Sequence, residues 1–335
     1  MAMSYINNAL KGKRVLVTGA TGFIGGRLAQ RLATEEGAIV TGTGRHLEKA
    51  GFLQEAGVRL LAADLLDEAA MKTAVADQHI VFHVAAWLGD RSGDAQSAYA
   101  VNVTGTENVV RLAAMAGVSR LILVSSINAY GPPKHLNVDE SHPLNPNQRD
   151  AYGRTKAIGE MRARELADEL GLPLVVVRPG MVYGPRAQSW TVGLLKLVQQ
   201  GTPVIFGDGS GHAYPIYIDN LVDGMLLTAV SPNAPGEAFN FCDPPVDWRT
   251  FFDFYARMSG RPARRIPLWA ARLLALANEK LHLGLPLTRE RLEFYILPAS
   301  FPTTKAQQLL GYSPRVSLDE GMKQAEIWLK ENGYL

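Results

Sequence analysis

The sequence predicts an α/β chain built on a doubly wound parallel sheet, with a smaller, helix-rich C-terminal lobe. Three observations predict it. Short apolar runs alternate with helical patterns as far as residue 180. A glycine-rich turn follows the first of those runs and opens a helix. The alternation then stops, and Pro and Gly become dense after Pro179.

The elements follow in order. Arg14 to Val17 is a β-rich run, and Ile24, Leu28 and Leu32 beyond the glycine turn recur at a spacing of four, one face of a helix. Ala38 to Thr43, Val58 to Ala62, His79 to Val84, Arg120 to Val124 and Leu174 to Val177 read as the second to sixth strands. Several are continuous apolar runs, as expected of strands covered on both faces. The segment Ile266 to Leu287 is the most apolar stretch of the lobe. It carries Arg272, Glu279, Lys280 and His282, so it reads as an amphipathic helix with an apolar loop and not as a bilayer span.

Composition narrows the function. The chain has 335 residues, 47% hydrophobic and 20% charged, which is ordinary for a globular protein. Its 34 Lys and Arg against 32 Asp and Glu leave a net charge of +2, which gives no electrostatic case for nucleic acid. The lone cysteine, Cys242, excludes an internal disulfide framework and any zinc cluster that needs several thiolates. Met1 to Leu10 lacks the basic-then-apolar pattern of a secretory signal, so a cytoplasmic location is expected.

The glycine turn reads Thr18-Gly19-Ala20-Thr21-Gly22-Phe23-Ile24-Gly25. The first glycine allows a sharp turn, the second a close approach of backbone to a pyrophosphate, and the third tight helix–strand packing. The helix N-terminus faces the anion. A glycine pattern alone also fits a plain βα turn. The second strand ends Thr43-Gly44-Arg45-His46, with no carboxylate for ribose hydroxyls. Arg45 is placed to read a 2′-phosphate, which favours NADP over NAD. Asp64-Leu65 follows the third strand, where the carboxylate meets an adenine amino group or caps the next helix.

Tyr152 and Lys156 stand at i and i+4, on one face of a helix. A nearby ammonium is expected to lower the tyrosine pKa from about 10, which suits acid/base work on a carbonyl/alcohol couple. Ser125-Ser126 ends the fifth strand, at the edge where open α/β sheets bind ligands.

Together with DLLD (64–67), HVAA (83–86), NVTGT (102–106), SSINAYG (125–131), YGRTK (152–156), RPGMVYGP (178–185), the segment 207–224 and KAQQLLGYSP (305–314), these motifs resemble the extended short-chain dehydrogenases/reductases. That family also holds NAD-dependent epimerases and dehydratases. The resemblance spans about residues 12 to 330. It implies a Rossmann fold, with 12–180 an NADP-binding domain and 181–335 mainly a substrate-binding lobe whose chain can cross back. It implies Tyr152 as the acid/base, Ser126 as the hydroxyl that holds the substrate oxygen, and Lys156 as the residue that binds the nicotinamide ribose and tunes the tyrosine. Asn102 matches a helix asparagine that organises a proton-relay water, or else only bridges local backbone. Gly19, Thr21, Gly22, Phe23, Ile24, Gly25, Arg45, Asp64, Leu65 and Ser125 are implied cofactor contacts. Val84, Ala85 and Ala86 lie under the ribose, and Pro179 and Val182 beside the nicotinamide. A homodimer through helices in 102–116 and 152–170 is expected.

Three departures narrow the reaction. Ile127 and Asn128 follow Ser126 where dehydratases of the family carry an acid, which argues against dehydration. Ala213 stands where many nucleotide-sugar enzymes carry a diphosphate-clamping arginine, with His212 and Tyr214 beside it. The apolar insert 266–287 is similar to the 3β-hydroxysteroid dehydrogenase-like branch, where it forms a lid, a buried helix or a peripheral membrane contact. The expectation is therefore interconversion of an apolar ketone (a 3-oxosteroid, a β-keto acid or similar) and its secondary alcohol. Trp87, Trp190, Tyr183 and Tyr217 are candidate pocket residues or ordinary core. The alternatives are a nucleotide-sugar epimerase or dehydrogenase and, more remotely, a non-catalytic NADP-binding sensor. No Gly-x-Ser-x-Gly elbow supports a hydrolase.

Overall fold

A computed structural model describes the chain except for residues 1–7, 49, 90–93, 134, 282, 284 and 286. Most of Met1 to Leu10 and three positions of the 266–287 insert therefore lie outside the described residues.

The apolar runs form strands β1 (Arg14–Thr18), β2 (Ile39–Gly44), β3 (Arg59–Ala62), β4 (Ile80–His83), β5 (Arg120–Val124) and β6 (Leu174–Pro179). A seventh, β7 (Ala238–Phe241), comes from beyond the expected boundary and pairs with β6. The order is β7-β6-β5-β4-β1-β2-β3, and every pair is parallel. Direction reverses between β1 and β4, which opens a crevice at their C-terminal ends. β4 and β6 are buried along their whole length. β7, which follows the first stretch of the lobe in sequence, pairs with β6 of the central sheet.

Helices fill both faces. α1 (Phe23–Thr34) buries Leu28 and Leu32, as the spacing requires, and α2 is Glu68–Val75. α3 (Gly105–Met115) continues a π-helical turn over Ala100–Thr104. α4 (Ala151–Leu170) carries the Tyr-Lys pair. α5 (Ile218–Val230) is buried over most of its length. The C-terminal lobe contributes α6 (Leu268–Leu281) and α7 (Arg289–Ile296). Among the described residues, no helix is long and apolar enough to cross a membrane.

α4 comes so close to the π-turn that only glycine fits at 159. A Cβ there would lie 2.2 Å from the Asn102 carbonyl oxygen, a backbone atom that cannot swing away. Gly159→Ala should therefore cost about 1–3 kcal/mol, read as a lower urea midpoint with an unchanged slope.

Candidate active site

The glycine loop lies at the crevice. Gly19 has φ +69, and a Cβ on it would stand 2.8 Å from Ala85 Cα. A Cβ on Gly25 would stand 2.3 Å from the Gly19 carbonyl oxygen. Gly22 caps α1 without a side chain, and the first turn of α1 carries no acidic residue. Backbone N–H groups and no negative charge are what a pyrophosphate needs, so the loop fits a dinucleotide. Phe23 and Ile24 are half-buried at the head of α1.

Thr18, at the end of β1, organises the other wall. Its hydroxyl oxygen accepts the Val84 and Ala85 N–H groups at 3.1 and 3.2 Å. It lies 2.8 Å from His83 Nδ1. With two donors already on that oxygen, the hydroxyl proton goes to Nδ1, and His83 carries its own proton on Nε2. Nε2 is 3.0 Å from Thr106 Oγ1, which donates to the Asn102 carbonyl at 2.9 Å. Burial, helped by the Lys156 charge, holds the His83 imidazole down to about 3, so it is neutral. The chain fixes the loop that Val84, Ala85 and Ala86 form.

Asn102 is a brace. Its side-chain oxygen accepts Trp87 N–H at 2.8 Å, and its amide donates to the Trp87 carbonyl at 3.1 Å and to Thr155 Oγ1 at 3.0 Å. Both amide protons are committed, so of the two expected roles the geometry supports the bridging one.

The reacting groups meet on α4. Ser126 caps a short 3-10 turn, accepting Asn128 N–H at 3.1 Å, and its side chain lies near enough to the Tyr152 phenol to favour the phenolate. Burial pushes Tyr152 up to about 12; Ser126 pulls against that, and the Asp150 carboxylate adds to it. The expected lowering by Lys156 is thus corrected. Lys156 Nζ donates to the Val124 carbonyl at the end of β5, at 2.7 Å, and desolvation there lowers its own pKa to about 8. Glu160, one turn further along α4, supports the ammonium.

Glu160 belongs to a buried network that the sequence reading missed. Arg178 on β6 reaches it through Nε and Nη2, the shortest contact being 2.5 Å. Burial alone would push the Glu160 carboxyl up, but Arg178 holds it below its ordinary range. Arg178 also donates to the Tyr130 hydroxyl, which donates to Asn240 on β7 at 2.9 Å. One signal was available, because Glu160 continues the four-residue spacing of Tyr152 and Lys156.

Other expected residues fall as follows. Thr21 packs against the end of β2, where a Cβ on Gly44 would meet it at 2.5 Å, so exposed Arg45 begins beside the phosphate loop. Asp64 accepts Leu66 N–H at 2.9 Å, and Asp67, not Asp64, caps α2. Leu65 is buried, with its carbonyl on the Asn108 amide. Ser125 is buried beside Glu160. Pro179 ends β6, and buried Val182 pairs with Ile216. Of the two readings, Tyr183 and Tyr217 fall to core: both are fully buried and pack edge to face. Trp87 and Trp190 are half-buried. No His, Cys, Asp or Glu group among the described residues is arranged to hold a metal ion.

A sequence profile of the NAD dependent epimerase/dehydratase family matches residues 15–242, two thirds of the chain. The chain belongs to the NAD-dependent epimerase/dehydratase family. It is an NAD(P)-dependent oxidoreductase in the reach of its family's chemistry. A 2-alkyl-3-oxoalkanoate reductase of Stenotrophomonas maltophilia is 31% identical, over 93% of this chain and 98% of its own. A 3beta-hydroxysteroid-dehydrogenase/decarboxylase (isoform 1) of Arabidopsis thaliana is 31% identical, over 92% of this chain and 78% of its own. A solved UDP-glucuronic acid 4-epimerase of Bacillus cereus, in complex with UDP-glucuronic acid and NAD, superposes with a TM-score of 0.78 at 25% identity. That match covers 95% of this chain and 99% of the other.

A neutral His83 has a testable consequence. Its folded pKa, about 3, lies below the unfolded value near 6.5, so the unfolded chain binds the extra proton between those limits. The stability it contributes is whole above pH ~6.5 and declines by about 1.4 kcal/mol per unit as pH falls. His83→Asn should be less stable than wild type at pH 7, with the gap narrowing at that slope below pH ~6.5 in paired denaturation curves.

Proposed function

We propose that the enzyme reduces an apolar ketone to its secondary alcohol with NADPH, and runs the reverse oxidation with the same groups. Ala213 carries the substrate class. It is 0% exposed and sits in a short antiparallel pair with Val246, so no cation reaches out from the position where nucleotide-sugar enzymes place their clamp. Its neighbour His212 has Nδ1 2.8 Å from the Ala299 carbonyl and is not turned to an anion. A diphosphate here would lack a charge-assisted partner worth ~1.5–3 kcal/mol.

The apolar side is equally specific. A groove of about 580 Å³ runs between α6 and α7, with Leu268, Leu273, Leu276 and Leu292 among its walls. Trp269, Leu273 and Leu281 are 68%, 59% and 68% exposed, which suits delivery of an apolar substrate, including from a lipid surface through residues 266–287. The names of the reductase and steroid dehydrogenase relatives agree with that class.

When bound, the cofactor supplies the hydride to the carbonyl carbon. Gly19, Gly22 and Gly25 would hold its pyrophosphate and Arg45 its 2′-phosphate. Lys156 keeps two N–H donors beyond Val124 for a ribose hydroxyl. Tyr152 gives its proton to the carbonyl oxygen while Ser126 donates to the same oxygen. The phenol's raised pKa keeps that proton in place until the oxygen gains charge.

Turnover of 2-tetralone, a medium-chain β-keto ester and a 3-oxosteroid with NADPH and with NADH, beside a binding screen with UDP-sugars, tests the reading. NADPH-dependent reduction of one of the three is expected; tight UDP-sugar binding with no ketone turnover would replace it with the epimerase reading. Tyr152→Phe should lower kcat by about 10²–10⁴ with cofactor affinity kept. Arg45→Ala should weaken NADPH about 10- to 100-fold and leave NADH within twofold to threefold, by fluorescence titration.

A further inference from the structure

The catalytic helix begins under a strap from the C-terminal lobe. Asp150 caps α4, two residues before Tyr152. Its two carboxylate oxygens have separate partners. Oδ2 accepts the Gly153 N–H of the helix's first turn at 2.9 Å. Oδ1 accepts Arg291 of α7 through Nη2 at 2.6 Å and Nε at 3.1 Å. The seam continues alongside. Arg149 N–H donates to Glu290 at 3.0 Å, the Arg149 guanidinium lies 3.4 Å from Glu279, and Glu279 is held by Arg289 at 2.8 Å.

We propose that Arg291 is a positioning residue for Tyr152, acting through Asp150. The proposal rests on the reading of Tyr152 as the acid/base. A side-chain cap fixes the first turn of a helix, and Tyr152 stands in that turn. Arg291 holds the capping carboxylate in the rotamer that caps, and its charge offsets the carboxylate's charge beside the phenol.

Among the described residues, the charged and titratable neighbours are these. On its own helix Tyr152 has Asp150, which raises the phenol, and Lys156, turned away onto Val124; from the 3-10 turn it has Ser126. Asp150 faces Arg291 from α7. Arg154, one turn on, is spent on the Gln148 and Arg149 carbonyls. Across the seam Arg149 and Arg289 both pair with Glu279, Glu290 accepts the Arg149 backbone N–H, and Arg291 pairs with Asp150 and lies near Tyr295.

The test is the pH profile of alcohol oxidation with NADP, using the secondary alcohol of whichever of the three ketones is turned over fastest. Oxidation needs the phenolate, so its rate climbs through the tyrosine midpoint. In Arg291→Ala that midpoint should move up by about half a pH unit, a rate about threefold lower at any pH below it. Arg291→Lys should recover most of the shift. In Asp150→Asn, which keeps a cap without the charge, the midpoint should fall, and adding Arg291→Ala should move it no further. A wild-type profile in Arg291→Ala, or an equal shift in the Asp150→Asn background, overturns the proposal. Thermal melts of all variants separate these outcomes from a loss of fold. Tyr152→Phe run beside them separates the two claims: if it stays active the acid/base reading itself fails, and if it is inactive only the role of Arg291 is at issue.

Discussion

A carboxylate with no exposure must meet a cation, and the Glu160–Arg178 pair is where this molecule resolves that constraint. Removing one partner of such a pair leaves a buried charge and costs about 3–5 kcal/mol. The pair joins α4 to β6, and through Tyr130 and Asn240 it reaches β7. It therefore sets the axial position of α4 against the sheet. Tyr152 and Lys156 stand two turns and one turn before Glu160 on the same face, so their places follow from it. Beside it on α4, the contact at Gly159 sets how close the helix comes to Asn102.

A second buried chain, Thr18–His83–Thr106–Asn102, links the ends of β1 and β4 to α3 and, through Thr155, to α4. Cofactor wall and catalytic helix are thus referenced to the same atoms. The polar groups of this region are largely spent on one another. That arrangement suits a site in which proton and hydride must arrive at fixed positions without reorganisation.

Much of this was legible in the sequence. The six apolar runs became six strands, and the most continuously apolar, β4 and β6, are buried along their whole length, while edge strand β3 is only partly covered. The glycines at 19 and 25 marked real close approaches. β7 was not legible, since Ala238–Phe241 is four residues long, carries a buried Asn and lies outside the βα rhythm. Tyr183 and Tyr217 looked like pocket residues because an aromatic ring fits either place, and only packing decides. The Tyr152–Lys156 spacing placed both residues on one helix but gave the wrong electrostatics. Spacing says that two side chains share a face, and says nothing of a carbonyl such as that of Val124 that takes one of them away. Pairings such as Arg178 with Glu160, or Arg291 with Asp150, join residues that are distant in sequence and leave no local pattern.

The return of the chain to the sheet bears on how the protein is made. During synthesis, the first 180 residues emerge with β6 as an open edge, its buried side chains uncovered on one face until α5 follows. The partner strand is complete only at Phe241, after the first part of the lobe has been threaded out. The nascent cofactor half therefore has to wait, aggregation-prone, for a stretch that belongs to the other half, and the two halves mature as one cooperative unit.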